Sequence, residues 1–267
     1  MFNNVGLTAL TTHQLSIGYA QVRSRANPRH VIAQDLNLVL AQGELVCLLG
    51  PNGTGKSTLM RTLSGTQAAL CGHVFIGSDD VRSLPAVEVA RRMALVLTER
   101  VDAGHLNAYG LAALGRYPYT GWSGALTPQD HAAIQNAMRA ARCESLAHRI
   151  VNELSDGERQ RVMIARALAQ ETPIILLDEP TAFLDLPRRI EIMLLLRHLA
   201  HEAGKAILVS THDLELALRY ADQLWLLPKD GTLINGKPDA LKASGQLLDA
   251  FASEGAEVSG YLAELLT

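Results

Sequence analysis

Two periods of apolar residues alternate along this chain. The segment LNLVL (36–40) alternates apolar and polar side chains, and LVCLL (45–49) is an unbroken apolar run. A strand with one wet face alternates, whereas a strand covered on both faces does not. Residues 8–20 and 31–49 therefore read as strand-rich, with the polar, basic QVRSRANPRH (21–30) as a loop between them. A helix over about 55–64, a strand over 72–76, a helix over 86–92 and the strand MALVLT (93–98) follow. From 104 to 153 the period turns helical, in NAYGLAALGR and PQDHAAIQNAMRAARC, with no strand run between them. After 154 the order is helix, strand IILLD, helix, strand KAILVS, helix, strand QLWLL. That alternation predicts a parallel sheet with crossover helices. From 231 a turn and weakly amphipathic helices are expected. The pattern as a whole predicts an α/β core with an inserted helical subdomain.

Composition narrows this reading. A chain of 267 residues that is 48% hydrophobic can bury a sizeable core as one large α/β domain. A formal net charge of −3 argues against a general nucleic-acid binder, which carries a strongly basic face. The start, MFNNVGLTALTTHQL, lacks a basic stretch followed by a long apolar one, so no secretory signal is expected. No apolar window is long enough to span a membrane. Cys47, Cys71 and Cys143 are widely spaced, form no metal motif and read as reduced packing thiols.

Three segments carry chemistry. GPNGTGKS (50–57) fits G-x-x-x-x-G-K-[ST], follows an apolar strand and opens a helix, the context the motif requires. Gly50, Gly53 and Gly55 let backbone wrap phosphate oxygens, Lys56 supplies a charge for the β- and γ-phosphates, and Ser57 offers a hydroxyl to Mg²⁺. Alone, the loop implies only a nucleoside triphosphate. IILLDEP ends a doubly buried strand with two carboxylates, at the carboxyl end where ligands sit in open α/β sheets. Asp178 would then ligate Mg²⁺ and Glu179 would orient attacking water; a surface acidic turn is the alternative. His212, past KAILVS, is either a loop hydrogen-bonder or a group near the γ-phosphate that holds Glu179 and water in line.

A fourth segment, LSDGERQ (154–160), is ambiguous. Ser155 and Glu158 have capping-box spacing ahead of a helix whose stripe is Val162, Ile164, Ala165 and Leu168. Gly157 does not fit that account, since glycine inside a helix costs about 1 kcal/mol against alanine. Bare backbone at a helix N-terminus also suits an anion. The segment is thus a cap or a phosphate sensor.

GPNGTGKS, LSDGERQ, IILLDEP and STHD, in this order and spacing, resemble the ATP-binding subunits of ABC transporters, over roughly residues 8–230. The resemblance implies a P-loop NTPase core with a parallel sheet, an N-terminal antiparallel β-subdomain and an inserted α-helical subdomain. The expected division is 1–103 and 154–230 as RecA-like core plus β-subdomain, 104–153 as the helical subdomain and 231–267 as a C-terminal helical tail. It implies an ATPase with ATP and Mg²⁺, working as a head-to-tail homodimer. Ser155 and Gly157 of one subunit would close over the γ-phosphate held by the other, so the cap and the sensor are then both true. Asp156 and Glu158 stand where glycine and glutamine are commoner in the family.

Other residues follow from the resemblance. The ATP-contacting set runs through the loop as Gly50, Pro51, Asn52, Gly53, Thr54, Gly55, Lys56, Ser57 and Thr58. Tyr19, in LSIGYA, matches an aromatic that stacks on adenine, with a strand-end core tyrosine as the alternative. Ala182 to Asp185 match the dimer-contact loop, Asp185 being its acidic member. Glu99, in VLTER, stands where the family has a glutamine that ligates Mg²⁺ and senses the membrane subunit; a carboxylate can ligate at least as well as an amide.

A single ATPase unit without a fused membrane span resembles a bacterial importer with separate chains. GRYPYTGW sets Tyr117, Tyr119 and Trp122 close together, either packed on the body or exposed as a partner anchor. With VLTER and THDLELALRYADQLWLL, it resembles the ATPases of ferric-siderophore, haem and cobalamin importers. The resemblance implies integral membrane permease partners, an indirect link to a substrate-binding protein, no nucleic acid, and a peripheral place on the cytoplasmic face of the plasma membrane. Molybdate or metal-ion cargo, a soluble non-transport ABC ATPase and a non-hydrolysing regulatory module are the competing readings.

Overall fold

The computed structural model describes residues 8–20, 29–97 and 103–251. Strands β1 (Thr8–Ala20), β2 (Arg29–Leu36) and β3 (Val39–Ala41) precede β4 (Leu45–Leu49), which leads into helix α1 (Lys56–Leu63). β5 (Cys71–Ile76), β6 (Asp79–Asp80), α2 (Ala86–Arg92) and β7 (Met93–Val96) follow. The helical stretch holds α3 (Ala108–Ala113), a 3-10 turn (Leu114–Tyr119) and α4 (Pro128–Ala140). Then α5 (Asp156–Ala169), β8 (Ile174–Asp178), α6 (Leu186–His201), β9 (Ala206–Ser210), α7 (Leu214–Tyr220) and β10 (Gln223–Leu226) alternate, before β11 (Ile234–Gly236), α8 (Pro238–Ala243) and α9 (Gln246–Phe251).

The main sheet runs β11-β10-β4-β9-β8-β7, parallel except for the edge strand β11. Its central strands are buried at every position because both faces are covered. The period of two sorts their side chains. Leu45, Cys47, Leu49, Ile175, Leu177, Ile207 and Val209 join the helices α3 to α7 on one face. Val46, Leu48, Ile174, Leu176 and Leu208 meet α1 and the small antiparallel sheet on the other. That second sheet is β2-β1-β5-β6, with β3 also on β1. The β-subdomain is therefore held by the sheet face that also carries α1, beside the phosphate-loop motif.

The helical stretch is tied to the core by one buried cation. Arg116 donates to Asp130 (2.8 Å), to the Ala169 carbonyl (2.7 Å) and to Glu171 (2.6 Å). The Thr127 backbone N–H, the Thr127 hydroxyl and Arg116 together hold the Asp130 carboxyl down to about 2. Gly115 permits the approach: a Cβ there would lie 2.1 Å from the Arg166 carbonyl oxygen.

Three expectations change. Arg29 and His30 leave the predicted loop for β2, because pairing with Ala20 and Tyr19 satisfies their backbone groups. The predicted turn is present, closed by the Gly231 N–H donating to the Pro228 carbonyl (3.2 Å), and a short unpredicted strand, β11, follows it because it can complete the sheet edge beside β10. Cys47 and Cys143 are buried packing thiols, pushed by desolvation up to about 12 and about 11, but Cys71 is exposed and has no packing role. No helix among the described residues is long and apolar enough to cross a membrane.

Candidate functional site

Strands β4, β9 and β8 are neighbours, so their carboxyl ends converge. The loop 50–55 leaves β4, Asp178 and Glu179 end β8, and His212 follows β9. The loop's shape needs its glycines. A Cβ on Gly50 would lie 2.2 Å from the Leu227 carbonyl oxygen. Gly55 has φ +100°, and a Cβ there would meet Ile32 Cγ2 at 2.4 Å. Thr54 donates to the Pro51 carbonyl (3.0 Å), and buried Lys56 donates to the Gly50 and Pro51 carbonyls (2.8 and 3.0 Å). No side chain caps α1. Its first-turn N–H groups therefore remain available to an anion, favoured further by the helix dipole.

A cleft of about 430 Å³ opens over this loop, lined by Asn52, Gly53, Gly55, Lys56, Ser57, Thr58 and Glu179, with Tyr19, His30 and Ile32 along one side. Tyr19 is half exposed, and its hydroxyl shares a hydrogen bond with that of Thr58 at 3.0 Å. The strand-end core tyrosine is thereby excluded.

Ser210, which sequence reasoning did not single out, organises the acidic pair. It lies opposite Asp178 in the β8–β9 ladder, donates its hydroxyl to the buried Asp178 carboxylate (2.6 Å), and accepts the Glu179 N–H (2.9 Å). The signal was present as a serine closing an apolar strand beside the strand that ends in the carboxylates. Glu179 takes φ +48°, a conformation strained for a side chain bearing a Cβ. Its Oε2 lies 3.9 Å from His212 Nδ1, outside hydrogen-bond range.

Ser155, Gly157 and Asp185 do not line the cleft. Ser155 caps α5 in a complete capping box: its hydroxyl accepts the Glu158 N–H (3.3 Å) and donates to Glu158 Oε2, which also accepts the Ser155 N–H (both 2.9 Å). These bonds, with Arg149 and Arg188, hold the Glu158 carboxyl below its ordinary range. Asp185 caps α6 through the Arg188 N–H (3.1 Å). Among the described residues nothing requires glycine at 157. An added Cβ would meet only Arg188 and Leu184, at 3.7 to 3.8 Å, which is ordinary contact. Glu99 lies outside the described residues.

The set of donors suits Mg²⁺ held with a phosphate. Among the described residues no cluster of three His, Cys, Asp or Glu side chains could hold a metal by itself. Mg²⁺ keeps several waters and takes one or two protein ligands together with substrate phosphates, which the Ser57 hydroxyl and the Asp178 carboxylate match in number and kind.

The family description "ABC transporter" matches residues 33–182. This chain belongs to the ABC transporter ATP-binding family. It is 41% identical to an uncharacterized ABC transporter ATP-binding protein of Methanocaldococcus jannaschii, over 94% of this chain and 85% of the relative. It is 38% identical to the protein named probable siderophore transport system ATP-binding protein YusV of Bacillus subtilis, over 88% of this chain and 82% of that one. Among solved structures it resembles the ATP-binding cassette MJ0796, a dimer in a post-hydrolysis state bound to ADP and Pi, with TM-score 0.72, 28% identity and coverage of 86% of this chain and 98% of that one. As a member of the family it is an ATP-binding protein whose hydrolysis is coupled to transport. Its fold is the ABC ATPase cassette, with a parallel main sheet and an antiparallel second sheet.

Proposed function

We propose that this chain is the ATP-hydrolysing motor subunit of a bacterial importer for an iron-siderophore, haem or cobalamin-type cargo. The observation that carries hydrolysis is Glu179, a carboxylate held in a strained conformation in the same cleft as Lys56 and Ser57. In the proposed chemistry the open N-terminus of α1 and the loop N–H groups bind the β- and γ-phosphates, while Lys56 leaves its two carbonyl partners to add positive charge. Tyr19 takes adenine on its ring. Ser57 and Asp178 hold Mg²⁺, with Glu99 as a further ligand. Bound there, the ion neutralises charge that develops on the phosphates. Glu179 aligns water for attack on the γ-phosphorus, and His212 moves within hydrogen-bond range of it once substrate is present.

The dimer is part of the same proposal. Among the described residues nothing needs glycine at 157, and Ser155 does not line the cleft, so both are placed to meet nucleotide held by a second copy. Asp185, beside them, would contact that copy's loop. The dimeric state of the solved relative supports this.

The transport partner rests on the aromatic segment. Tyr119 packs on the body, its ring against Arg116 and its hydroxyl donating to the Gln170 carbonyl (2.9 Å). Tyr117 and Trp122 are 78% and 103% exposed. Exposed aromatics of this kind anchor partners, and the partner proposed is a membrane permease at the cytoplasmic face, itself served by a substrate-binding protein. The siderophore member of the proposed cargo class is supported by the name of the Bacillus subtilis relative.

Turnover tests the chemistry. Wild-type protein should hydrolyse Mg²⁺-ATP. Glu179→Gln should bind ATP as tightly yet turn over at least about a hundredfold more slowly, the scale of a lost general base. Near-normal turnover of that variant would remove Glu179 from its role.

A further inference from the structure

We propose that His30 is a second adenosine-contacting residue, completing with Tyr19 a two-ring platform on one side of the cleft. The inference rests on the reading of that cleft as the ATP site. Tyr19 of β1 and His30 of β2 are direct cross-strand partners. Directly opposed residues in an antiparallel pair project from the same face with Cβ atoms about 5 Å apart. The period of two along β2 fixes which face this is. Ile32, two residues on, lies against the phosphate loop at Gly55, so His30 also projects toward the loop. Both rings accordingly line the cleft that holds Lys56, Ser57 and Thr58.

The two rings differ in what already occupies them. Tyr19 is tethered through its hydroxyl to Thr58. The His30 ring is exposed and has no hydrogen bond, ion pair or ring contact among the described residues. Among the described residues, therefore, no contact of the fold explains an imidazole at this point. Its position beside Tyr19 sets it against the nucleoside, and the phosphates are left to the loop and Lys56. Its ring face would pack on the base or ribose, adding contact area beside Tyr19.

Calorimetric titration of the full chain with ADP and with inorganic tripolyphosphate tests this. ADP avoids hydrolysis, and tripolyphosphate offers the loop its phosphates without a nucleoside. His30→Ala should weaken ADP binding about five- to tenfold, the scale of one lost stacking contact. It should leave tripolyphosphate binding within twofold of wild type. His30→Phe, which keeps a ring face, should restore ADP binding to within twofold. Unchanged ADP affinity in His30→Ala, or an equal loss for both ligands, would overturn the proposal. Lys56→Ala separates this from the underlying reading: it should weaken both ligands, and if it weakens neither, the cleft is not a phosphate site and the role of His30 falls with it.

Discussion

Glu179 and Gly157 each carry a local conformational cost at a position that bears on the candidate site. A non-glycine residue at positive φ costs of order 1–3 kcal/mol and persists where its surroundings impose it. Here Ser210 imposes it from the neighbouring strand, by accepting the Glu179 N–H while donating to Asp178. Gly157 costs helix stability in a turn where its own chain leaves room for a methyl group. Gly157→Ala should therefore fold with a melting temperature no lower than that of wild type and bind ADP normally, yet be impaired in forming an ATP-dependent dimer. Normal dimerisation of that variant, read by light scattering, would mean that bare backbone at 157 is not needed by a partner's phosphate. The candidate chemistry of Lys56 and Ser57 was legible from the glycine-rich loop after an apolar strand, and that of Asp178 and Glu179 because they close an apolar run. Ser210 and His30 were not, because their significance arises from strand register, which no single segment displays. His30 also sat in a run of polar residues that reads as loop.

At the scale of elements, helix ends divide the labour. α1 begins uncapped beside Lys56, and α5 begins with a complete capping box. An uncapped end is open to an external anion, while the capped end is ordered before any partner arrives. The box on α5 could be read from Ser155 and Glu158. The one on α4 could not be read as readily, since Thr127 and Asp130 use aspartate in the third position. Asp130 also joins the helical stretch to the core through Arg116, and this gives a pH prediction. Its folded value lies below the ordinary carboxylate value, at about 2. The stability it contributes is thus present above the unfolded value of about 4 and is lost as pH falls toward 2. Melting temperature should drop more steeply over that window in wild type than in Asp130→Asn. Parallel curves would show that Asp130 is not the group responsible. β11 escaped the sequence because three residues carry no periodic signal, and the partner that stabilises them is ten residues away on β10.

The whole molecule is built around a sheet covered on both faces, one by helices and the other by α1 with the antiparallel sheet. This architecture was legible from the alternation of buried strands and helices after 154 and from the helical stretch before it. The pattern could not give the separation of the site into two parts. Lys56, Ser57 and Glu179 share a cleft, and Ser155 and Gly157 lie outside it. A head-to-tail pair of chains would reunite them, and closure of that pair is the step by which ATP would act on a membrane partner. The most direct measurement is the mass of Glu179→Gln in solution by light scattering, with and without saturating Mg²⁺-ATP. A shared site requires a monomer without nucleotide and a dimer holding two ATP molecules with it. A monomer that has bound ATP at saturation would contradict the shared site.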